Sequence, residues 1–202
     1  MQFDDVLKKR RMVRRFSTDP VPKDALERIA RAAKRAPSAG FSQGQRLVIV
    51  TDPALMAQVA EGADEESYAD IGYHRWVSQC GAQFVPCVSE RLYHERYQQP
   101  DKLEDGKELI WPIPYWWMDI GCTVMLIILA AIDEGLASGF AGPFPHPKGM
   151  NLIRSALKIP DHFTPVGIMP VGYPLPDPPS PSLKRGAVKP EDFTRWNGWS
   201  LG

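Results

Sequence analysis

Apolar residues along this chain recur first at helical spacing and then in short β-branched runs. Phe3, Val6 and Leu7 share a helical face, but Val13 and Phe16 stand among arginines that break it, so a short helix should lead into an extended basic segment. Pro20 and Pro22 interrupt the chain. Beyond them Leu26, Ile29, Ala30 and Ala33 recur at i, i+3, i+4 and i+7 until Pro37, which predicts an amphipathic helix starting near Asp24. A polar, glycine-containing loop then precedes Leu47-Val48-Ile49-Val50, a strand by its β-branched run.

Asp52-Pro53 has N-cap and first-turn chemistry for a further helix with Leu55, Met56 and Val59 on its apolar face, and residues 84–88 form a second strand candidate. Residues 93–114 are rich in charge, Gln and Pro with weak periodicity, which suits a surface excursion or lid, extending to about residue 118. Trp111, Tyr115, Trp116 and Trp117 crowd before Asp119, placed to cap an apolar helix that runs to about Glu134 and stops at Gly135. Its most apolar part, residues 120–132, is shorter than the roughly 20 residues of a membrane span and reads as a core helix. Met150, Ile153 and Leu157 mark a helix ending before Pro160, and residues 166–173 are another strand candidate. The extension 175–202 is proline-rich and carries Trp196 and Trp199. Two tryptophans are costly to leave in water, so this tail should pack on something, and a partner subunit is the available surface.

Composition narrows the reading. At 202 residues, 44% hydrophobic, the chain fits one domain over 1–202. Lys plus Arg and Asp plus Glu both total 24, leaving no overall field to favour nucleic acid or an acidic membrane. The charge is uneven, however: Lys8, Lys9, Arg10, Arg11, Arg14 and Arg15 crowd together, and Lys184-Arg185 forms a second basic pair. Cys80, Cys87 and Cys122 show no C-x-x-C spacing, which argues against a disulfide framework or zinc site. With residues 1–5 lacking the basic and apolar regions of a secretory signal, a reducing, cytoplasmic location is the expectation. His74, His94, His146 and His162 are dispersed, so no metal is expected. Ser38, Ser42 and Ser138 lack a G-x-S-x-G setting, and no G-x-G-x-x-G follows a predicted strand.

The chemistry must therefore come from the basic cluster and the loops. Several arginine forks near one point suit a phosphomonoester; a solvated helix end complementing the helix dipole is the competing reading. The arginine segment is followed by Ala36-Pro37-Ser38-Ala39-Gly40-Phe41-Ser42-Gln43 and a strand, then by Asp119-Ile120-Gly121 with its apolar helix and Gly135-Leu136. Leu157-Lys158-Ile159-Pro160 and Gly172-Tyr173-Pro174 complete the order. Together these blocks resemble the FMN-dependent nitroreductase family over most of residues 9–185, with the middle excursion unmatched.

The resemblance implies an α+β, nitroreductase-like fold with a central, mostly antiparallel sheet flanked by helices, in an intertwined homodimer whose C-terminal tail reaches the partner. It implies that Arg10, Arg11 and Arg14, with Met12 between them where the family usually has Ser, hold the FMN phosphate or ribityl chain. Lys184 or Arg185 would assist, with Lys189 as a substitute. Pro37, Ser38, Ala39 and Gln43 would lie against the flavin ring, partly across the subunit boundary, with Phe41 in place of a usual Asn. Residues 140–144 would present a backbone N–H to flavin N5; Pro143 has none, leaving Ala141 and Gly142. Phe41, Trp116 and Trp117, together with Trp111 and Tyr115, are substrate-pocket candidates, with core or interface packing as the alternative role. NAD(P)H would reduce FMN and be replaced in the same pocket by a nitroaromatic or quinone. Two further readings stay open: an oxygen-dependent flavin destructase, for its similar A-P-S-x-G-F-x-Q loop, and an FMN-sequestering protein without turnover, for the departures at Met12, Phe41 and the C-terminal register.

Overall fold

Local signals become elements wherever spacing and stop residues agree. The computed structural model describes residues 1–142 and 147–199. The basic segment follows α1 (Phe3–Lys9) and leads to α2 (Lys23–Ala33), whose buried face is Ala25, Leu26, Ile29 and Ala33. A 3₁₀ turn, Ala39–Phe41, precedes β1 (Gln45–Val50). Asp52 caps α3 (Pro53–Gly62), its carboxylate accepting the Leu55 N–H at 2.9 Å. After α4 (Glu65–Asp70), β2 (Ala82–Val88) is buried along its whole length. Then come α5 (Glu90–Tyr97), α6 (Tyr115–Asp133), β3 (Ala137–Ser138), α7 (Pro147–Ala156), β4 (Thr164–Pro165), β5 (Met169–Gly172) and α8 (Pro190–Phe193).

The strands form one antiparallel sheet in the order β1-β2-β5-β3, with β4 also paired to β2. Alpha helices cover it, and the main core lies between the sheet residues Phe84, Met169 and Val171, α2, and the inner face of α6. Ile127 is fully buried there, a side chain worth about 2–3 kcal/mol of transfer free energy.

Several expectations change. The stretch 93–114 begins inside a helix, α5, because Tyr93 is fully buried while its charged neighbours face outward and blur the periodicity. The apolar helix starts at Tyr115 after Pro114, so Asp119 stands in its second turn and is no cap. That helix has 19 residues and is long and apolar enough to cross a membrane by length and composition. Its inner face, however, is Ile120, Thr123, Ile127, Ile128, Ala131 and Ile132, built into the core. Its outer face, Trp117, Met118, Gly121, Cys122 and Met125, is apolar and exposed in a single protomer. The strand expected over 166–173 is reduced to Met169–Gly172, with a separate bridge between Ile168 and Ala141. The tail from residue 181 to 199 lies exposed, Trp196 and Trp199 included.

Candidate functional site

The basic segment is fixed through its backbone, which leaves its side chains free to act. Val13 N–H donates to the Ser138 carbonyl at 3.2 Å, Ser17 N–H to the Tyr173 carbonyl at 2.9 Å, and Leu175 N–H to the Arg15 carbonyl at 3.0 Å. The Asp177 carboxylate accepts the Arg14 N–H at 2.9 Å. The arginine block and the Gly172-Tyr173-Pro174 block are therefore neighbours. Arg10 and Arg11 are exposed and, among the described residues, make no side-chain hydrogen bond or ion pair; Arg14 only stacks its guanidinium over Trp76, 5.8 Å from the ring centroid. Three guanidinium groups without a carboxylate partner suit a phosphate, which is the fit a flavin mononucleotide requires.

Gly139 lets the next segment approach this cluster: a Cβ there would lie 2.4 Å from the Val13 carbonyl oxygen and 2.6 Å from the Trp76 ring. Beyond it, Ala141 N–H donates to the Ile168 carbonyl at 2.8 Å, so it is not available to a flavin. Gly142 is the remaining expected donor; Pro143 and Phe144 of that segment, like His146, lie outside the described residues.

The loop holding Pro37, Ser38, Ala39 and Gln43 is built separately. Gly40, Phe41 and Gln43 have φ of 59°, 57° and 51°, the left-handed region that is costly for Phe and Gln. Several bonds hold this shape: Ser38 Oγ accepts the Gln43 N–H at 2.9 Å, Ser42 Oγ donates to the Ala39 carbonyl at 2.6 Å, and Gln45 Nε2 donates to the Pro37 carbonyl at 2.9 Å. From below, the buried Asp119 carboxylate accepts the Ala39 N–H at 2.8 Å and the Tyr93 hydroxyl at 2.7 Å. Burial, and then its bond to Asp119, keep the Tyr93 hydroxyl protonated far above the usual phenol range.

Aromatic rings back the loop. Tyr97 packs on Gly40, where a Cβ would meet its ring at 2.5 Å, and Trp111 stands edge-on to Tyr97 at 4.4 Å between centroids. Trp116 is buried against Tyr93 and Trp111, so it packs the cluster and does not line an open pocket. Phe41 is 74% exposed and Trp117 42%, which keeps both as surface candidates. His94 and Glu108 pair beside Trp111 and Trp116, and Trp111 Nε1 donates to Glu108 at 3.1 Å. Burial alone would depress the His94 pKa, but the bonds and charges of Glu108 and Glu90 raise it above the ordinary value.

One protomer does not bring all the predicted residues together. Arg11 lines a cavity of about 240 Å³ with Ile132, Gly135 and Leu136, at the C-terminal end of α6. Asp119, and with it Ala39, lies thirteen residues back, about 20 Å along the helix axis at 1.5 Å per residue. Lys184 and Arg185 sit in an exposed 3₁₀ turn, Pro181–Arg185, and Lys189 is exposed beyond it. A larger cleft of about 470 Å³ lies elsewhere, between β1, Leu55 and Leu157. Asp119, Tyr93 and Trp76 were not legible as site residues: their partners stand far off in sequence, and a lone Trp carries no spacing signal.

Comparison with known proteins fits this geometry. The profile of the nitroreductase family matches residues 7–173. An iodotyrosine deiodinase of Nematostella vectensis is 27% identical over 203 aligned residues, covering 91% of this chain and 71% of its own. A nitroreductase family protein from Clostridium novyi NT superposes with a TM-score of 0.65 at 25% identity, covering 87% of this chain and 86% of its own. The NADPH:FMN oxidoreductase from Vibrio harveyi, solved in complex with NAD+, superposes with a TM-score of 0.73 at 18% identity over 98% of this chain and 78% of its own. The match spans the arginine segment, the A-P-S loop, the central helix and the strand that ends at Gly172 in one frame, and the chain belongs to the nitroreductase family.

Proposed function

We propose that the protein is an FMN-dependent oxidoreductase that takes electrons from NAD(P)H and passes them to a nitroaromatic, quinone or similar flat acceptor, at a site completed by a second copy of the chain. The observation that carries this reading is the division of the site along α6. The α6 residues that Arg11 and the A-P-S loop adjoin, Ile132 and Asp119, stand about 20 Å apart along the helix axis, and the helix between them shows water an apolar face of Met118, Gly121, Cys122 and Met125. Two α6 helices packed antiparallel through that face bury it and set the arginines of one protomer beside the loop of the other. Such a face resembles a core cut in half.

When bound, FMN supplies hydride acceptance and its return to a second substrate, which is why the chain needs no side-chain acid, base or nucleophile. In this reading Arg10, Arg11 and Arg14 hold the phosphate, with Lys184 or Arg185 closing over it, and the Gly142 N–H faces the ring. The left-handed loop from Ala39 to Gln43 presents backbone to the ring and projects Phe41 outward. Arg14→Ala should raise the FMN dissociation constant by about tenfold or more, since an arginine–phosphate pair is worth roughly 1.5–3 kcal/mol. A fluorescence titration checks this, and an unchanged constant removes Arg14 from the phosphate site.

The Nematostella relative supports a second reading, reductive deiodination of iodotyrosine, at the same flavin site. Iodide release during reoxidation of the reduced protein by iodotyrosine separates it from the first.

A further inference from the structure

The loop beside the proposed flavin is held from a second direction, by a residue that lies between the sequence blocks carrying the family resemblance. Arg96, near the end of α5, donates from Nε to the Gly40 carbonyl at 2.9 Å. The rest of its guanidinium is already oriented: it donates to the Asp101 carboxylate in bidentate fashion at 2.8 and 2.7 Å and to Gln99 Oε1 at 3.1 Å. The next residue, Tyr97, lays its ring against the Cα of Gly40, close enough that no side chain fits there. The Gly40 peptide is thus fixed by a charged donor and an aromatic wall, one residue from the Ala39 N–H that Asp119 holds. Without such bonds a turn with positive φ at Gly40, Phe41 and Gln43 should relax, because each non-glycine residue there costs of order 1 kcal/mol or more.

We propose that Arg96, oriented by Asp101, is a positioning residue for the flavin: it sets the height and tilt of the Ala39–Phe41 turn against the ring. This rests on the FMN reading above. The planar fork matters, since one edge serves Asp101 while Nε serves Gly40, a division that a lysine ammonium cannot reproduce in the same geometry. Both partners are on the same protomer, so the device exists before the second copy docks.

The test uses the full-length protein with bound FMN and the variants Arg96→Ala, Arg96→Lys and Asp101→Asn. Expected results are an FMN dissociation constant raised about tenfold in Arg96→Ala, from loss of a charge-assisted bond, and a smaller rise in Asp101→Asn. The flavin absorption bands should shift in both, and Arg96→Lys should restore affinity only in part. Amide hydrogen exchange on the flavin-free protein gives an independent readout: exchange at residues 39–43 should quicken in Arg96→Ala while β2 stays protected. Wild-type affinity, band positions and loop exchange in Arg96→Ala would overturn the proposal and leave the FMN reading standing. A wild-type protein that binds no FMN would instead remove the reading on which it rests.

Discussion

Asp119 serves two donors at once, the part-buried Ala39 N–H and the buried Tyr93 hydroxyl. Asp119→Ala leaves both without their acceptor, the Tyr93 hydroxyl in a buried site, so it should cost about 3 kcal/mol of stability, whereas Tyr93→Phe, which removes donor and desolvation together, should cost about 1 kcal/mol. Urea denaturation of the two variants measures the difference, and equal losses would contradict the double role. The same residue shows where sequence reading stops. An Asp before an apolar run has the form of an N-cap, and at Asp52 that local rule holds because the acceptor and its N–H lie three residues apart. Asp119 has its partners 80 and 26 residues away, a relation that only the folded chain creates. Arg96 is silent in sequence for the same reason, and Trp116, conspicuous among the aromatics before Asp119, proves to be packing.

Among elements, amphipathic spacing made α2 and the buried face of α6 readable, because one apolar face met one core. The start of α5 was hidden by its charged outer side, and β5 was shortened by the separate pairing of Ile168 with Ala141. The turn from α5 into the excursion carries a pH dependence. His94 pairs with Glu108, which also accepts from Gln98 and Trp111, and with Glu90 at the helix start. The folded pKa of His94 lies above its unfolded value of about 6.5. Its contribution is therefore complete below that value and lost as pH rises through the raised one. Burial would lift the Glu108 pKa, but its bonds from Gln98, His94 and Trp111 lower it, so its share is present at neutral pH and lost in acid as pH falls through the depressed folded value. Amide exchange over 94–111, corrected for intrinsic rates, should quicken as pH is raised past the His94 transition. His94→Gln should remove that step; a step that survives in the variant would assign it to another group.

At the scale of the whole molecule, the fold was legible from the order of its blocks, and the family resemblance already implied a flavin contact shared across the subunit boundary; where its two halves lie along α6 was not legible. No spacing in the sequence says that Arg11 adjoins one end of α6 and Ala39 the other, with an exposed apolar face between them; in the proposed dimer a second copy covers that face. Met125→Glu places a charge in the middle of that face. It should shift sedimentation to a single chain and abolish FMN binding together, while a variant that remains dimeric would place the interface elsewhere.

Electron transfer on FMN from a nicotinamide to an aromatic acceptor can be read from the visible spectrum of the FMN-reconstituted protein mixed anaerobically with NADPH or NADH. The expected result is bound flavin that bleaches with one or both nucleotides and regains its colour on addition of a quinone or nitroaromatic. A protein that binds no FMN, or whose bound flavin neither nucleotide reduces, would contradict it.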